Sequence, residues 1–249
     1  MKLHAYFLAI LFITCMGCSS EPINSQEQST PKVFTPTETP EEDNTVEPET
    51  IKYLALGDSY TIGQSVCETC RFPELLKRGI IRNLDSVSSF DLSIIARTGW
   101  TTTNLINAIG SENPNTDFDL VTLLIGVNNE FQNKPFNIYE SEFPELINMA
   151  INKAKGNKNK IIVVSIPDYA YTPYGKGDTN ISARLDTYNT FAKNYCDANS
   201  ISYVYITDIT RQGLENPDLV ASDGLHPSEL AYSMFVNRLL RIAIEKIKN

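Results

Sequence analysis

Two short apolar runs, residues 120–125 and 161–166, constrain the fold of this chain most strongly, because neither has a polar face. Runs of this kind are typical of strands that helices cover on both sides. Further strands are predicted at 51–56, 91–96 and 202–206. The spacing of apolar residues predicts helices at 72–84, 101–109, 140–155, 181–198 and 228–246.

Strands that alternate with helices indicate a parallel sheet. We therefore expect an α/β fold of three layers (α/β/α), a flavodoxin-like parallel sheet of about five strands with helices on both faces. In such sheets, ligands bind at the carboxyl ends of the strands. The residues that suggest chemistry all follow predicted strands: Ser59, Gly99, Asn128, Asp223 and His226.

The N-terminus has the pattern of an export signal. Lys2 and the apolar stretch 5–16 predict a signal peptide over residues 1–17, which is short for a membrane span. Its ending, Met16-Gly17-Cys18, resembles that of a bacterial lipoprotein and implies a lipid anchor at Cys18. An ordinary cleaved signal peptide is the alternative. We expect an exported protein of the bacterial cell envelope, lipid-anchored on the periplasmic or outer surface.

Residues 18–49 are predicted to be a disordered tether, rich in acidic residues, proline, serine and threonine. Within 19–49 stand eight acidic residues and one lysine, so this segment carries most of the net charge of −9. Such a composition buries too little apolar surface to fold. The remaining residues, 50–249, are enough for one domain. This domain is only mildly acidic and has no basic stripe, so we expect no nucleic-acid binding. We also expect the protein to be a monomer.

Two of the five cysteines, Cys67 and Cys70, are close enough to form a local disulfide in an exported protein. A redox-active Cys-x-x-Cys motif is the alternative. A metal site is not expected, because residues 50–249 have no second Cys-x-x-Cys and no histidine pair to complete one. No cofactor is expected either.

One histidine, His226, occurs in residues 50–249. A serine nucleophile needs a nearby base at neutral pH, and histidine is the usual one. Asp223 precedes His226 by three residues, so its carboxylate can meet one imidazole nitrogen while the other faces a serine such as Ser59. Taken alone, Ser59 could instead cap a helix. Asp223 could belong to a polar turn, although such a turn does not explain the histidine.

Two residues are candidates for binding an oxyanion. Gly99 could present a bare backbone N–H to a substrate, and Asn128 could present its side-chain amide. The structural alternatives are a tight turn for Gly99 and an Asx-turn for Asn128.

At this point the pattern resembles the SGNH/GDSL hydrolase family, in particular bacterial lysophospholipase-L1-like esterases, over most of residues 51–247. Gly57-Asp58-Ser59 matches the first family block and implies that Ser59 is the nucleophile and an oxyanion donor. Gly99 and Asn128 match the second and third blocks, which implies oxyanion-hole roles. Asp223 and His226 match the last block, as orienting acid and general base. The resemblance implies the SGNH hydrolase fold for a domain at 50–249.

The third block departs from the family pattern at one position. It commonly reads Gly-x-Asn-Asp, and here Asn129 replaces the aspartate. This change removes a charge beside the site and leaves the donor Asn128 in place.

The substrate is less constrained. A small-molecule ester is expected, with a short-chain acyl or acetyl group, or a lysophospholipid. Three tyrosines in the loop after the fourth strand, Tyr169, Tyr171 and Tyr174, could form a sugar platform or the wall of an acyl pocket, or could simply pack on the loop's own body. A non-catalytic glycan- or lipid-binding domain on the same fold is the alternative to a serine esterase.

Overall fold

The computed structural model describes residues 49–84 and 87–249, apart from the side chains of Glu49 and Ser88. The predicted signal peptide 1–17, the tether up to residue 48 and the lipidation site Cys18 lie outside the described residues.

Five parallel strands form one sheet in the order β2-β1-β3-β4-β5. The strands are β1 (Glu49–Gly57), β2 (Val87–Ala96), β3 (Leu120–Leu124), β4 (Ile161–Val164) and β5 (Ser202–Val204). Every residue of β3 and β4 is buried, so helices cover both faces of the sheet there. The predicted three-layer α/β fold is confirmed.

Eight α-helices accompany the strands in the described part of the chain. They are α1 (Ser59–Ile62), α2 (Phe72–Asn83), α3 (Thr102–Glu112), α4 (Val127–Phe131), α5 (Phe136–Lys153), α6 (Thr179–Asn199), α7 (Thr207–Thr210) and α8 (Glu229–Lys248). Helix α2 packs against α8, and α5 packs against both α3 and α6. Four short 3₁₀ helices lie at Glu68–Cys70, Lys158–Lys160, Tyr169–Tyr171 and Pro217–Leu219.

The core between sheet and helices contains large aromatic side chains. Tyr53, Phe72, Tyr139, Phe143, Tyr232 and Phe235 are all completely or almost completely buried. Their burial removes a large apolar area from water and fixes the strands whose carboxyl ends carry the site.

Several elements differ from the sequence prediction. Helix α5 begins at Phe136 rather than at residue 140, and the four-residue helix α7 was not predicted. Strand β2 begins at Val87, four residues before the predicted start, because an edge strand paired only with β1 can keep exposed polar residues such as Ser89. Helix α4 was not predicted, since five residues are too few to show a helical period.

Among the described residues, no helix combines the length and the apolar character that crossing a bilayer requires.

Candidate active site

The turn from β1 into α1 carries Ser59. Gly57 ends the strand where a Cβ atom would lie 2.1 Å from Thr61 Oγ1 and 2.4 Å from the Leu124 carbonyl oxygen, so only glycine fits. Asp58 caps α1 by accepting a hydrogen bond from the Tyr60 N–H at 3.0 Å. Ser59 is the first residue of α1, and its backbone N–H therefore has no partner within the helix.

Asp58, the residue before Ser59, is completely buried. Burial raises the pKa of Asp58 to about 7, although the hydrogen bond from the Tyr60 N–H acts in the opposite direction. Its second carboxyl oxygen, Oδ2, has no hydrogen-bond partner. An unpartnered buried oxygen favours the protonated carboxyl, so Asp58 changes its charge near neutral pH.

Asp223 and His226 form a hydrogen-bonded pair in the turn before α8. Asp223 Oδ2 lies 2.6 Å from His226 Nδ1. Asp223 Oδ1 accepts hydrogen bonds from the backbone N–H groups of Leu225 and His226, at 2.9 and 3.0 Å. The ring of Tyr60 packs edge-on against the imidazole, with centroids 5.8 Å apart. With Nδ1 engaged, Nε2 is the nitrogen left to act on a substrate or a nucleophile.

The Asp223 carboxylate is held in its charged form. Partial burial acts to raise its pKa, but the hydrogen bonds from Ser65, His226 and Leu225 outweigh burial and hold the pKa well below its usual range. Asp223 is therefore ionised throughout the pH range in which a histidine titrates.

Gly99 lies in the turn after β2 with φ of +84°, a left-handed conformation that favours glycine. A Cβ atom there would meet nothing within 4 Å, so the backbone at this point faces open space. Its carbonyl accepts a hydrogen bond from Gln132 Nε2 at 2.8 Å. Asn128, on α4, donates from Nδ2 to the Trp100 carbonyl at 3.1 Å. An amide carries two N–H bonds, so Asn128 retains one for a further acceptor.

Asn129, the residue that departs from the family pattern, joins α4 to the start of α3. Its Oδ1 accepts from the Thr102 N–H at 3.0 Å, and its Nδ2 donates to Thr102 Oγ1 at 2.7 Å. The Thr102 hydroxyl in turn donates to Glu142. An aspartate at 129 would place two carboxylates on one hydroxyl, so the amide suits this hydrogen-bond chain better.

One open cleft of about 230 Å³ brings most of the predicted site residues together. Its lining includes Ser59, Gly99, Asn128 and His226, together with Tyr60, Thr98, Val127, Phe131, Gln132, Tyr169 and Leu225. Asp223 is outside the lining and contacts the cleft through His226. The cleft therefore lies where the carboxyl ends of β1, β2 and β3 meet the turn before α8.

The three tyrosines of the loop after β4 differ in position. Tyr169 lines the cleft and donates to Glu130 Oε2 at 2.7 Å, and burial together with this hydrogen bond raises its pKa. Tyr174 is exposed, and its ring centroid lies 6.3 Å from that of Tyr169. Tyr171 instead packs against the core. Phe131, which sequence reasoning missed, contacts both Tyr169 and Tyr174, with centroid distances of 5.5 and 5.7 Å.

Cys67 and Cys70 are joined by a disulfide in the loop between α1 and α2, and Cys196 is a free, buried thiol. Burial raises the pKa of the Cys196 thiol to about 12, so it is unreactive as a thiolate. Within residues 49–84 and 87–249, no cluster of histidine, cysteine and acidic side chains is arranged to hold a metal ion.

The family model described as GDSL-like lipase/acylhydrolase matches residues 55–234. This span is more than half of the chain and includes every residue of the cleft discussed above. The chain belongs to this family. It is therefore a carboxylic ester hydrolase.

Solved structures of low sequence identity share the fold. A lipolytic protein of the G-D-S-L family from Veillonella parvula has 15% identity and a TM-score of 0.62, covering 77% of this chain and 97% of that one. A lipase/acylhydrolase from Enterococcus faecalis has 19% identity and a TM-score of 0.60, covering 79% and 96%. An acetylxylan esterase from Geobacillus stearothermophilus has 18% identity and a TM-score of 0.56, covering 80% and 94%. A search of curated protein sequences finds no significant match.

Proposed function

We propose that this ester hydrolase uses Ser59, His226 and Asp223 as a catalytic triad. His226 removes the proton from the Ser59 hydroxyl as the oxygen attacks the ester carbonyl, and Asp223 orients the imidazole and stabilises its charged form. The alcohol leaves with the proton from His226. Water then attacks the acyl-enzyme with His226 again as base, which releases the acid and restores Ser59.

The oxyanion of each tetrahedral intermediate is held by the backbone N–H groups of Ser59 and Gly99 and by the free N–H of the Asn128 amide. All three residues line the same cleft as His226. Loss of one such donor typically lowers the rate by roughly 10²–10³. No metal or organic cofactor takes part in this sequence of steps.

The observation that carries the proposal is the short contact between Asp223 and His226, 2.6 Å, beside a cleft that Ser59 also lines. A glycan- or lipid-binding domain has no use for an imidazole fixed by an ionised carboxylate next to a serine. The binding-domain alternative is therefore the weaker one.

Small esters are the substrates we propose, with short-chain acyl or acetyl groups, or lysophospholipids. A cleft of about 230 Å³ has room for a short acyl group or an acetylated sugar edge. Phe131 and Tyr169 supply an aromatic wall on one side, and Tyr174 packs on both of them from outside the lining. A structural neighbour is an acetylxylan esterase, which adds an acetylated glycan to the candidates.

We further propose that the protein is monomeric and is held at the cell envelope through a lipid on Cys18, with residues 18–49 as the tether. The supporting pattern is the Met16-Gly17-Cys18 ending after an apolar stretch. Radiolabelled palmitate should enter the full-length protein in a bacterial host but not its Cys18→Ala variant. Equal labelling of both would exclude this anchor.

The test of the esterase proposal is hydrolysis of p-nitrophenyl acetate, butyrate and octanoate by the full-length chain. Ser59→Ala should abolish turnover above background. Ser182→Ala is the matched control, because Ser182 is also buried and its hydroxyl has no hydrogen-bond partner. Turnover that persists in folded Ser59→Ala would place the nucleophile elsewhere. Failure of the folded wild type on all three esters, together with binding of a glycan, would favour the binding-domain alternative.

A further inference from the structure

The loop between α1 and α2, residues 63–71, closes on itself beside the catalytic pair; we name it the disulfide loop. Its ends meet, since a Cβ atom on Gly63 would lie 2.5 Å from Arg71 Cβ. Inside it, Cys67 and Cys70 are joined by the disulfide and by a backbone hydrogen bond of 2.9 Å. A loop closed in these ways has few conformations available, so it can hold a side chain in a fixed place.

Ser65 is the residue of this loop that reaches the site. Its hydroxyl donates a hydrogen bond of 2.6 Å to Asp223 Oδ2, across 158 positions of sequence. Its backbone has φ of +68°, a left-handed conformation that is uncommon for residues other than glycine. Such a conformation persists where surrounding contacts determine it, and here it accompanies the contact with Asp223.

The oxygen that Ser65 contacts is the one that matters for His226. Asp223 Oδ1 is fixed by two backbone N–H groups from its own turn, those of Leu225 and His226. Asp223 Oδ2 accepts from His226 Nδ1 and from Ser65, both at 2.6 Å. Ser65 is thus the donor from outside the turn, and its hydroxyl opposes rotation of the carboxylate away from the imidazole.

The neighbouring residue of the same loop contacts the other side of the cleft. Gln64 Oε1 accepts a hydrogen bond of 2.6 Å from Thr98 Oγ1, next to Gly99. Consecutive residues of the disulfide loop therefore contact both the orienting acid and the turn that carries an oxyanion donor.

We propose that Ser65 is a positioning residue for the hydrolysis: it holds Asp223 Oδ2 in the orientation that aligns His226 with Ser59. This inference rests on the triad assigned above. Ser65 acts through Asp223 and does not touch the reacting atoms.

Other ionisable groups also face the pair. Tyr60 packs on the His226 ring, and burial raises its pKa well above the usual value. Burial, with the charges of Asp58 and Asp223, does the same for Tyr232. Both stay neutral in an assay near neutral pH, whereas Asp58 changes charge at about pH 7. The test is therefore made at pH 8, where the charge of Asp58 is nearly constant among variants.

A double-mutant cycle separates positioning from a merely structural role. The four full-length proteins are the wild type, Ser65→Ala, Asp223→Asn and the double variant, assayed on p-nitrophenyl acetate. We expect Ser65→Ala to lower kcat about tenfold, as loss of a hydrogen bond to a charged group does, with KM changed less than about twofold. In the Asp223→Asn background the same substitution should change kcat less than about twofold, because its target is already impaired.

Two further variants serve as controls. Ser65→Gly also lacks the hydroxyl but relieves the left-handed backbone, so it should lose as much kcat as Ser65→Ala and remain at least as stable to thermal unfolding. Ser200→Ala changes another serine with positive φ, 57°, at the end of α6, and should keep full activity.

The outcomes distinguish this inference from the triad itself. Three results would each overturn the role of Ser65. They are a wild-type kcat in Ser65→Ala, full activity in Ser65→Gly, and a double variant whose loss of kcat equals the product of the two single losses. If Ser59→Ala or Asp223→Asn keeps wild-type activity, the triad fails first. If Ser59→Ala loses activity while Ser65→Ala keeps the wild-type kcat, the triad assignment stands and only the positioning role of Ser65 is rejected.

Discussion

At the scale of single residues, the buried carboxyl of Asp58 predicts a pH dependence of stability. Its pKa is about 7 in the folded protein and close to the ordinary aspartate value in the unfolded chain. Between about pH 4 and pH 7 the folded state therefore binds more protons than the unfolded state at this group. Its contribution to the free energy of unfolding is largest below about pH 4 and falls as the pH rises through 7, by up to about 1.4 kcal/mol per pH unit.

Asp58→Asn should remove this dependence, because an amide fills the same space, can accept from the Tyr60 N–H and does not ionise. The measurement is the free energy of unfolding of both proteins in urea, at intervals from pH 4 to pH 9. The variant should gain stability relative to the wild type as the pH rises and then level off above about 7. Asp91→Asn, at an exposed position on the edge strand, is the control. A difference between wild type and Asp58→Asn that stays constant across this range would contradict the raised pKa.

The single residues of the site were largely predictable from sequence, because each follows a strand and the ends of parallel strands share one edge. Ser59, Gly99, Asn128 and His226 were named on that basis, and they line one cleft. Ser65 was not predictable, since its partner Asp223 is 158 positions away and an exposed serine in a loop has no sequence signature.

At the scale of elements, α4 and the loop after β4 form the aromatic side of the cleft. Phe131 on α4 is 39% exposed although it packs on two tyrosines, which leaves apolar surface available to a substrate. The sequence suggested Tyr169 as part of such a wall but missed Phe131, because α4 is too short to predict. It also suggested Tyr171, which packs against the core.

Phe131→Ala should therefore lower kcat/KM more for a long acyl ester than for a short one. We expect a fall of about fivefold for p-nitrophenyl octanoate and less than about twofold for the acetate, since each contacting methylene contributes up to about 0.8 kcal/mol. Tyr205 is another exposed aromatic residue and does not line the cleft, so Tyr205→Ala should leave kcat/KM unchanged for both esters. Equal losses on both esters would mean that Phe131 does not contact the acyl chain.

The disulfide loop is the second element with a testable role. If the bond between Cys67 and Cys70 restricts the loop, replacing both cysteines by serine should lower kcat by a few-fold while the fold remains intact, because Ser65 and Gln64 are less firmly held. Single-turnover activity that disappears with Cys67→Ser but survives Ser59→Ala would instead support a thiol-redox enzyme. Two free thiols at positions 67 and 70 in protein exported to the periplasm would exclude the structural disulfide.

At the scale of the whole molecule, the alternation of strands and helices was sufficient to predict the fold. The apolar runs at β3 and β4 have no polar face, and only a sheet covered on both sides accommodates them. The observed strand order, β2-β1-β3-β4-β5, is the one that the predicted flavodoxin-like sheet implies. The start of β2 did not follow from the sequence, because an edge strand is polar enough to resemble a loop. The signal and tether stay predictions, since they precede the described residues.

The central claim is that Ser59 is a nucleophile activated by His226, and covalent trapping tests it most directly. The full-length protein would be treated with diethyl p-nitrophenyl phosphate, digested and examined by mass spectrometry. Attack of Ser59 Oγ on phosphorus expels p-nitrophenolate while His226 takes the serine proton. We predict one diethylphosphoryl group on the peptide that contains Ser59, formed much more slowly in His226→Asn. An adduct on another residue, or active enzyme that resists the reagent, would contradict the assignment.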